Sequence, residues 1–230
     1  MITRSKENSR ASLRTRKLVV NRTDHYAIWG KRLFDIAFAS IVLTIFSPLY
    51  LAISLLVFIS SRGSVLYVHP RVGLNGQEFH CIKFRTMING ADQILEDYLS
   101  SCPISRAEYE ASFKLKHDPR ITKIGKLLRT TSLDELPQFW NVLVGDMSVV
   151  GPRPLVQREL TKYGTAIDKV LSVRPGIAGL WQVSGRNDIP YSRRVQIDAS
   201  YVRLMSFWLD IKLIFKTILV VICPKGNGAY

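Results

Sequence analysis

No charged residue occurs between Ile36 and Ser61, and this stretch separates a basic, polar N-terminal segment from a mixed remainder. It contains the run Ile36-Ala-Phe-Ala-Ser-Ile-Val-Leu-Thr-Ile-Phe46, and its length predicts a membrane-embedded segment rather than a core helix. Ser47-Pro48 stands at its middle. An interior proline lacks an N–H and clashes with the preceding turn, so the segment divides into two helical halves. Two geometries follow: a kinked helix that crosses the bilayer, or a re-entrant hairpin that returns to the face it left. Lys31 and Arg32 precede the segment, Arg62 and Arg71 follow it, and the downstream chain is basic, so the positive-inside rule favours the hairpin. Each half of about a dozen residues reaches roughly 18 Å, enough for one leaflet. Ser47 can satisfy a carbonyl that Pro48 frees.

Further along, Ser64-Val-Leu-Tyr-Val-His69 and Glu78-Phe-His-Cys-Ile-Lys-Phe84 are rich in β-branched and aromatic residues and flank a turn region with Asn75-Gly76. They predict a β-hairpin. Ala91 to Lys116 reads as helical with a break near Pro103. Ile121, Ile124, Leu127 and Leu128 recur at helical spacing, with Thr122 as cap, and Ser132 is expected to begin the next helix. Met205 to Cys223 is very apolar but holds Asp210, Lys212 and Lys216. Burying those charges in a second bilayer crossing costs several kcal/mol, about 2.5–3.5 each by insertion scales. Lys212 and Lys216 share one helical face, with Phe207, Trp208 and Phe215 available to lipid, which favours an interfacial helix over a buried core helix.

At 230 residues the chain has room for one substantial core with an anchor. Lys and Arg number 32 against 18 Asp and Glu, a net charge of +14, so its surface attracts phosphates, whether in nucleic acid, lipid headgroups or nucleotides. Cys81, Cys102 and Cys223 are odd in number and widely spaced, which argues against a disulfide framework or a zinc site.

Against that positive background, Arg129-Thr-Thr-Ser-Leu-Asp-Glu-Leu-Pro-Gln138 sets Asp134 and Glu135 side by side. Nearby cations favour ionised carboxylates, which serve as nucleophile, general base or metal ligand. The pattern Ser132-x-x-Glu135 is equally a capping box that would need no chemistry. Cations stand in stiff settings around the pair: Lys83 and Arg85 at the end of the β-hairpin, Arg129, and Arg153 between two prolines in Gly151-Pro-Arg-Pro154. Arginine forks bind phosphate oxygens in pairs, and a rigid backbone spares the entropy of positioning them. Gln182, Arg186 and Asn187 add a polar loop suited to a base, a sugar or another phosphate. Together these parts suit phosphoryl-type transfer from a soluble activated donor to a lipid acceptor at a membrane face. A carboxylate attacking an anionic diphosphate needs its repulsion offset, and Mg2+ held by Asp134 and Glu135 with substrate phosphates would do so.

Lys31-Arg32-x-Phe-Asp35, Ser47-Pro48, Lys83-Phe-Arg-Thr-Met87, Ser132-Leu-Asp-Glu-Leu-Pro-Gln138, Gly145-Asp-Met-Ser-x-Val-Gly-Pro-Arg-Pro154, Arg174-Pro-Gly176 and Gln182-Val-Ser-Gly-Arg-Asn187 occur in that order. In them the chain resembles the bacterial sugar transferases called monotopic phosphoglycosyl transferases, from about Lys31 to Cys223, and among these it is similar to the rhizobial transferases that start exopolysaccharide synthesis. The resemblance implies transfer of a sugar 1-phosphate from a UDP-sugar to undecaprenyl phosphate with Mg2+, on the cytosolic face of the bacterial inner membrane. It implies that Asp134 attacks the sugar-bearing phosphate, that UMP leaves, and that the polyprenyl phosphate takes the phosphosugar. Glu135 would support the metal or orient the pair, and Arg129 and Arg153 would contact phosphate. The sugar leans to galactose, then glucose, and the lipid product would pass to downstream glycosyltransferases. No role is left for nucleic acid. The rival is a non-catalytic membrane adaptor whose basic surface binds anionic lipid while the acidic pair merely caps a helix.

The expected architecture is therefore α+β and mainly helical, a single membrane-associated domain with a re-entrant helical hairpin, a small β-hairpin and C-terminal interfacial helices. Residues 1–30 are expected to form a flexible basic tail, 31–62 the membrane segment, 63–223 the cytosolic catalytic domain, and 224–230 a second tail.

Overall fold

The computed structural model describes residues 29–112, 115, 117–184 and 189–222; both expected tails, apart from residues 29 and 30, lie outside this range, as do Arg186 and Asn187. The chain is mainly helical, with two small two-stranded sheets among the described residues. Helices α1 (Lys31–Ile45) and α2 (Ser47–Ser60) meet at Phe46, with Pro48 in the first turn of α2, where its missing N–H costs nothing. Their axes differ by 63°. Ser47 Oγ donates to the Thr44 carbonyl at 2.9 Å, satisfying one of the acceptors the break exposes. No single described helix is long and apolar enough to cross a membrane, whereas this bent pair together has the length and composition.

Strands β1 (Leu66–Val72) and β2 (Glu78–Phe84) pair antiparallel, from Leu66 opposite Phe84 to Val72 opposite Glu78. Asn75 and Gly76 both take positive φ, 55° and 77°, in the turn between them. Alternation sorts β2 into two faces: Phe79 and Cys81 are buried on the face that also carries Lys83, while Phe84 is buried on the other. Phe84 packs with Ile53 and Val57 of α2, and with Leu128. The helical stretch after the hairpin divides at Pro103 as expected, into α3 (Ala91–Ser101) and α4 (Pro103–Ser112).

Helix α5 (Lys123–Thr131) is capped by Thr122, whose Oγ1 accepts from the Gly125 N–H at 2.8 Å. Ser132 does not open the following helix. It has φ 56°, closes α5, and donates its N–H to the Arg129 and Leu128 carbonyls, so the expected capping box with Glu135 does not form. A single 3-10 turn, Leu133–Glu135, follows, and α6 (Gln138–Val144) begins only after Pro137.

Strand β3 (Ser148–Val150) runs parallel to β4 (Gly176–Ala178), with α7 (Ile167–Val170) in the connection between them. Helices α8 (Tyr191–Leu204) and α9 (Phe207–Ile222) complete the described chain. One core gathers Ala39 of α1, Cys81, Val142, Val150, Tyr201 and Leu213. Helix α9 is part core and part exposed: Leu213, Ile214 and Asp210 are buried, while Trp208, Phe215 and Leu219 are exposed. Asp210 is thus not a surface charge. It pairs with Lys31 Nζ at 2.5 Å and accepts from Tyr201 Oη at 2.7 Å.

Candidate active site

Three structural accidents of the chain bring its charged residues to one cleft. Strand alternation puts Lys83 on the face of β2 that carries Cys81. The 3-10 turn after α5 presents Glu135, and the parallel register Ser148 to Gly176 sets the Gly151-Pro-Arg-Pro154 loop beside β4. The resulting cleft is lined by Arg71, Cys81, Lys83, Glu135, Gln138, Arg153, Pro154, Gly176, Ile177 and Gln182.

Glu135 Oε1 accepts from Lys83 Nζ at 2.5 Å, which is the partner that replaces the expected helix cap. Asp134 precedes Glu135 in the same turn and is half-buried. Its carboxyl is pushed up to about 6, first by burial and then by the Glu135 charge, against the pull of Lys83 and Arg129. The cations were expected to prevail and keep it fully ionised; desolvation outweighs them, leaving a carboxylate that is mostly ionised at neutral pH but poised to titrate. Arg129 Nε donates to Thr86 Oγ1 at 2.9 Å, and burial lowers its own proton affinity while Asp134 raises it. That hydrogen bond fixes the guanidinium within electrostatic reach of Asp134.

Arg153 is held over the Trp181 ring at 5.8 Å, and Arg194 lies over the same ring at 4.8 Å. Gln182 Nε2 donates to the Ile177 carbonyl at 3.3 Å, and its Oε1 is buried with no hydrogen-bond partner. Arg85 is not among the cleft-lining residues: it donates to the Ser61 carbonyl and, at 2.6 Å, to Asn89 Oδ1, bracing the exit of α2. The cleft therefore unites Lys83, Glu135, Arg153 and Gln182, with Asp134 and Arg129 adjoining; Arg85 stands apart, and Arg186 and Asn187 lie outside the described residues.

Sequence reading passed over Arg71, Cys81 and Gln138 as cleft residues. The signal for Arg71 was the hairpin register, since a residue paired with Phe79 shares its face with Cys81 and Lys83. A buried pair had no sequence signal: Tyr163 Oη donates to Asp198 Oδ2 at 2.9 Å, and burial lifts the Asp198 carboxyl to about 7, with that hydrogen bond and then the Arg153 charge pulling it down. Among the described residues no group of three or more His, Cys, Asp or Glu side chains gathers to hold a metal.

A sequence profile of the bacterial sugar transferase family matches residues 26–224. The chain is 49% identical over 198 residues to exopolysaccharide production protein ExoY of Rhizobium meliloti, covering 86% of this chain and 88% of that one. It is 48% identical over 212 residues to a UDP-galactose-lipid carrier transferase of Erwinia amylovora, covering 91% of this chain and 43% of the relative. With undecaprenyl-phosphate galactose phosphotransferase of Salmonella typhimurium it shares 49% identity over 200 residues, 87% of this chain and 41% of the relative. The chain thus spans about two fifths of the length of the latter two.

Proposed function

This chain belongs to the bacterial sugar transferase family, and from that membership we propose that it transfers a sugar 1-phosphate from a UDP-sugar to undecaprenyl phosphate and releases UMP. The observation that carries the reading is the cleft itself: an acidic pair adjoins three cations, Arg71, Lys83 and Arg153, in a chain whose bent apolar helices share their cores with strand β2. Relatives named for galactose transfer to a lipid carrier support a UDP-galactose donor, with UDP-glucose second. The Rhizobium relative's name supports a place in exopolysaccharide synthesis.

The chemistry follows from the charges. Asp134, ionised above its raised proton affinity, attacks the sugar-bearing phosphorus; the bond from that phosphorus to the bridging oxygen breaks, and UMP departs with the electron pair. An oxygen of undecaprenyl phosphate then attacks the same phosphorus, Asp134 leaves, and the lipid diphosphosugar forms. Arg129 and Arg153 hold phosphate oxygens, and Lys83 keeps Glu135 in place beside the nucleophile.

Mg2+ fits this donor set as a shared ion, not a caged one. Asp134 and Glu135 are adjacent carboxylates whose repulsion adds to burial in raising Asp134, so a further cation between them is favourable, and magnesium needs only one or two carboxylates beside substrate phosphates. Asp134 and Glu135 would hold it, and bound there it would neutralise charge on the diphosphate. We place the protein in the bacterial inner membrane with its cleft on the cytosolic side, where UDP-sugars reside.

Membranes holding the protein, given undecaprenyl phosphate and UDP-galactose labelled at the sugar-bearing phosphate, should form labelled lipid and free UMP. Release of UDP would show hexose transfer instead, and no product with any UDP-sugar would return the protein to the adaptor reading. Asp134→Asn should lower turnover by at least a thousandfold while membrane association persists; near-normal rates would remove Asp134 as nucleophile.

A further inference from the structure

Arg71 entered neither the motif set nor the roles above, yet its surroundings are those of a ligand-binding arginine. It stands on β1 opposite Phe79, and the antiparallel register gives it the same face as Cys81 and Lys83. Its Nη1 reaches the Pro154 carbonyl at 3.4 Å, a contact at the long limit of hydrogen bonding that sets the guanidinium beside the neighbouring Arg153. Neither arginine is ion-paired with a carboxylate among the described residues. Burial first, and then the Arg153 charge, pull Arg71 below the usual arginine value, while Cys81, Glu159 and Glu135 pull the other way; the two guanidinium groups thus stand close together with no carboxylate among the described residues in ion-pair contact. Such an arrangement is costly in the free protein and is relieved by an anion that bridges both groups.

We propose that Arg71 and Arg153 form a two-arginine clamp for the diphosphate of the nucleotide-sugar donor. Among charged groups the cleft lining carries three cations against the single carboxylate of Glu135, an excess that matches the two negative charges of a diphosphate diester. The donor, rather than the lipid acceptor, is the occupant because two guanidinium forks side by side match the two phosphates of a diphosphate, whereas the acceptor brings one. The two guanidinium forks hold the diphosphate while Asp134 attacks, and Arg71 is relieved of its like-charge neighbour only while the donor is bound.

This inference rests on the proposed transferase activity, and its test separates the two. With full-length protein in nanodiscs of bacterial phospholipid, UMP release gives KM for UDP-galactose and for undecaprenyl phosphate in turn. Arg71→Gln should raise the donor KM at least tenfold and leave the acceptor KM within twofold; Arg71→Lys, which keeps charge but loses the fork, should fall between. Thermal midpoints of both variants should stay within a few degrees of the parent. An unchanged donor KM, a rise confined to the acceptor, or an equal rise in both would overturn the clamp. If the parent releases no UMP, the activity reading fails on its own, and calorimetric titration with UDP still reads Arg71: a tenfold loss of affinity in Arg71→Gln upholds the anion clamp, and equal affinity refutes it.

Discussion

Asp134 and Glu135 are chain neighbours whose carboxylates meet different surroundings. Glu135 reaches into the cleft and takes the Lys83 ammonium at 2.5 Å, whereas Asp134 is half-buried beside it and loses solvation. A nucleophilic carboxylate works only when ionised, and its proton affinity stands near pH 6, so kcat/KM should rise about tenfold per pH unit below 6 and level off above 7. The neighbours give that limb a direction that can be tested. Glu135 raises Asp134 and Lys83 lowers it, so Glu135→Gln should move the acid limb to lower pH and Lys83→Met should move it to higher pH. Limbs that move together, or remain fixed while turnover changes, would mean that another group titrates. Asp134 was legible as a candidate because two adjacent carboxylates stand out in a chain of charge +14. Its raised proton affinity was not legible, because burial depends on how Leu133 and Leu136 pack around the turn with Phe84 and Leu128.

At the scale of elements, the site depends on close backbone contacts that only small residues permit. Gly125, in the first turn of α5, lies against the Thr86 carbonyl, and a methyl group there would overlap it. Thr86 also accepts the Arg129 side chain through its hydroxyl and the Thr122 N–H through its carbonyl, so one residue ties β2's exit to the helix that leads into the acidic turn. Gly125→Ala should therefore destabilise the fold by about 1–3 kcal/mol and lower turnover by displacing Arg129. A thermal midpoint within one degree of the parent would show that α5 can shift without cost. The elements built on local rules were readable in advance: the hairpin by its β-branched runs and Asn75-Gly76 turn, the α5 cap by Thr122, and the helix break by Ser47-Pro48. Ser132 misled because the same residue types that open helices also tolerate the left-handed conformation that closes them, and only the four-residue span before Pro137 decides between the two. The parallel pair β3–β4 left no periodic trace, since each strand has three residues and they meet across a long connection. Arg153 was readable from its flanking prolines; its approach to Arg71 required that pairing.

At the scale of the whole molecule, the two ends of the bent helix pair are fastened to one body. At the first end, the buried Lys31 pairs with Asp210 of α9, Arg32 donates to the Val142 and Leu143 carbonyls at 2.6 and 2.8 Å, and Asp35 accepts from the Val149 N–H at 2.9 Å. At the second end, the Ser61 and Arg62 carbonyls accept from Arg85 and Asn89. Helices of 15 and 14 residues are roughly 22 and 21 Å long at 1.5 Å per residue. Neither matches a hydrocarbon core of about 30 Å. A crossing would carry one end to the opposite side of the bilayer and sever one of these two sets of bonds. Breaking the buried Lys31–Asp210 pair alone would cost about 3–5 kcal/mol, because it leaves a charge unpaired in the core. A re-entrant path keeps both sets. Single cysteines introduced by Trp29→Cys and Arg62→Cys should thus react with an impermeant maleimide in inside-out vesicles, and neither should react in intact spheroplasts beyond the parent's native-cysteine background. Labelling of the two sites from opposite sides would establish a crossing helix and would require the bonds at one end to be absent in the membrane.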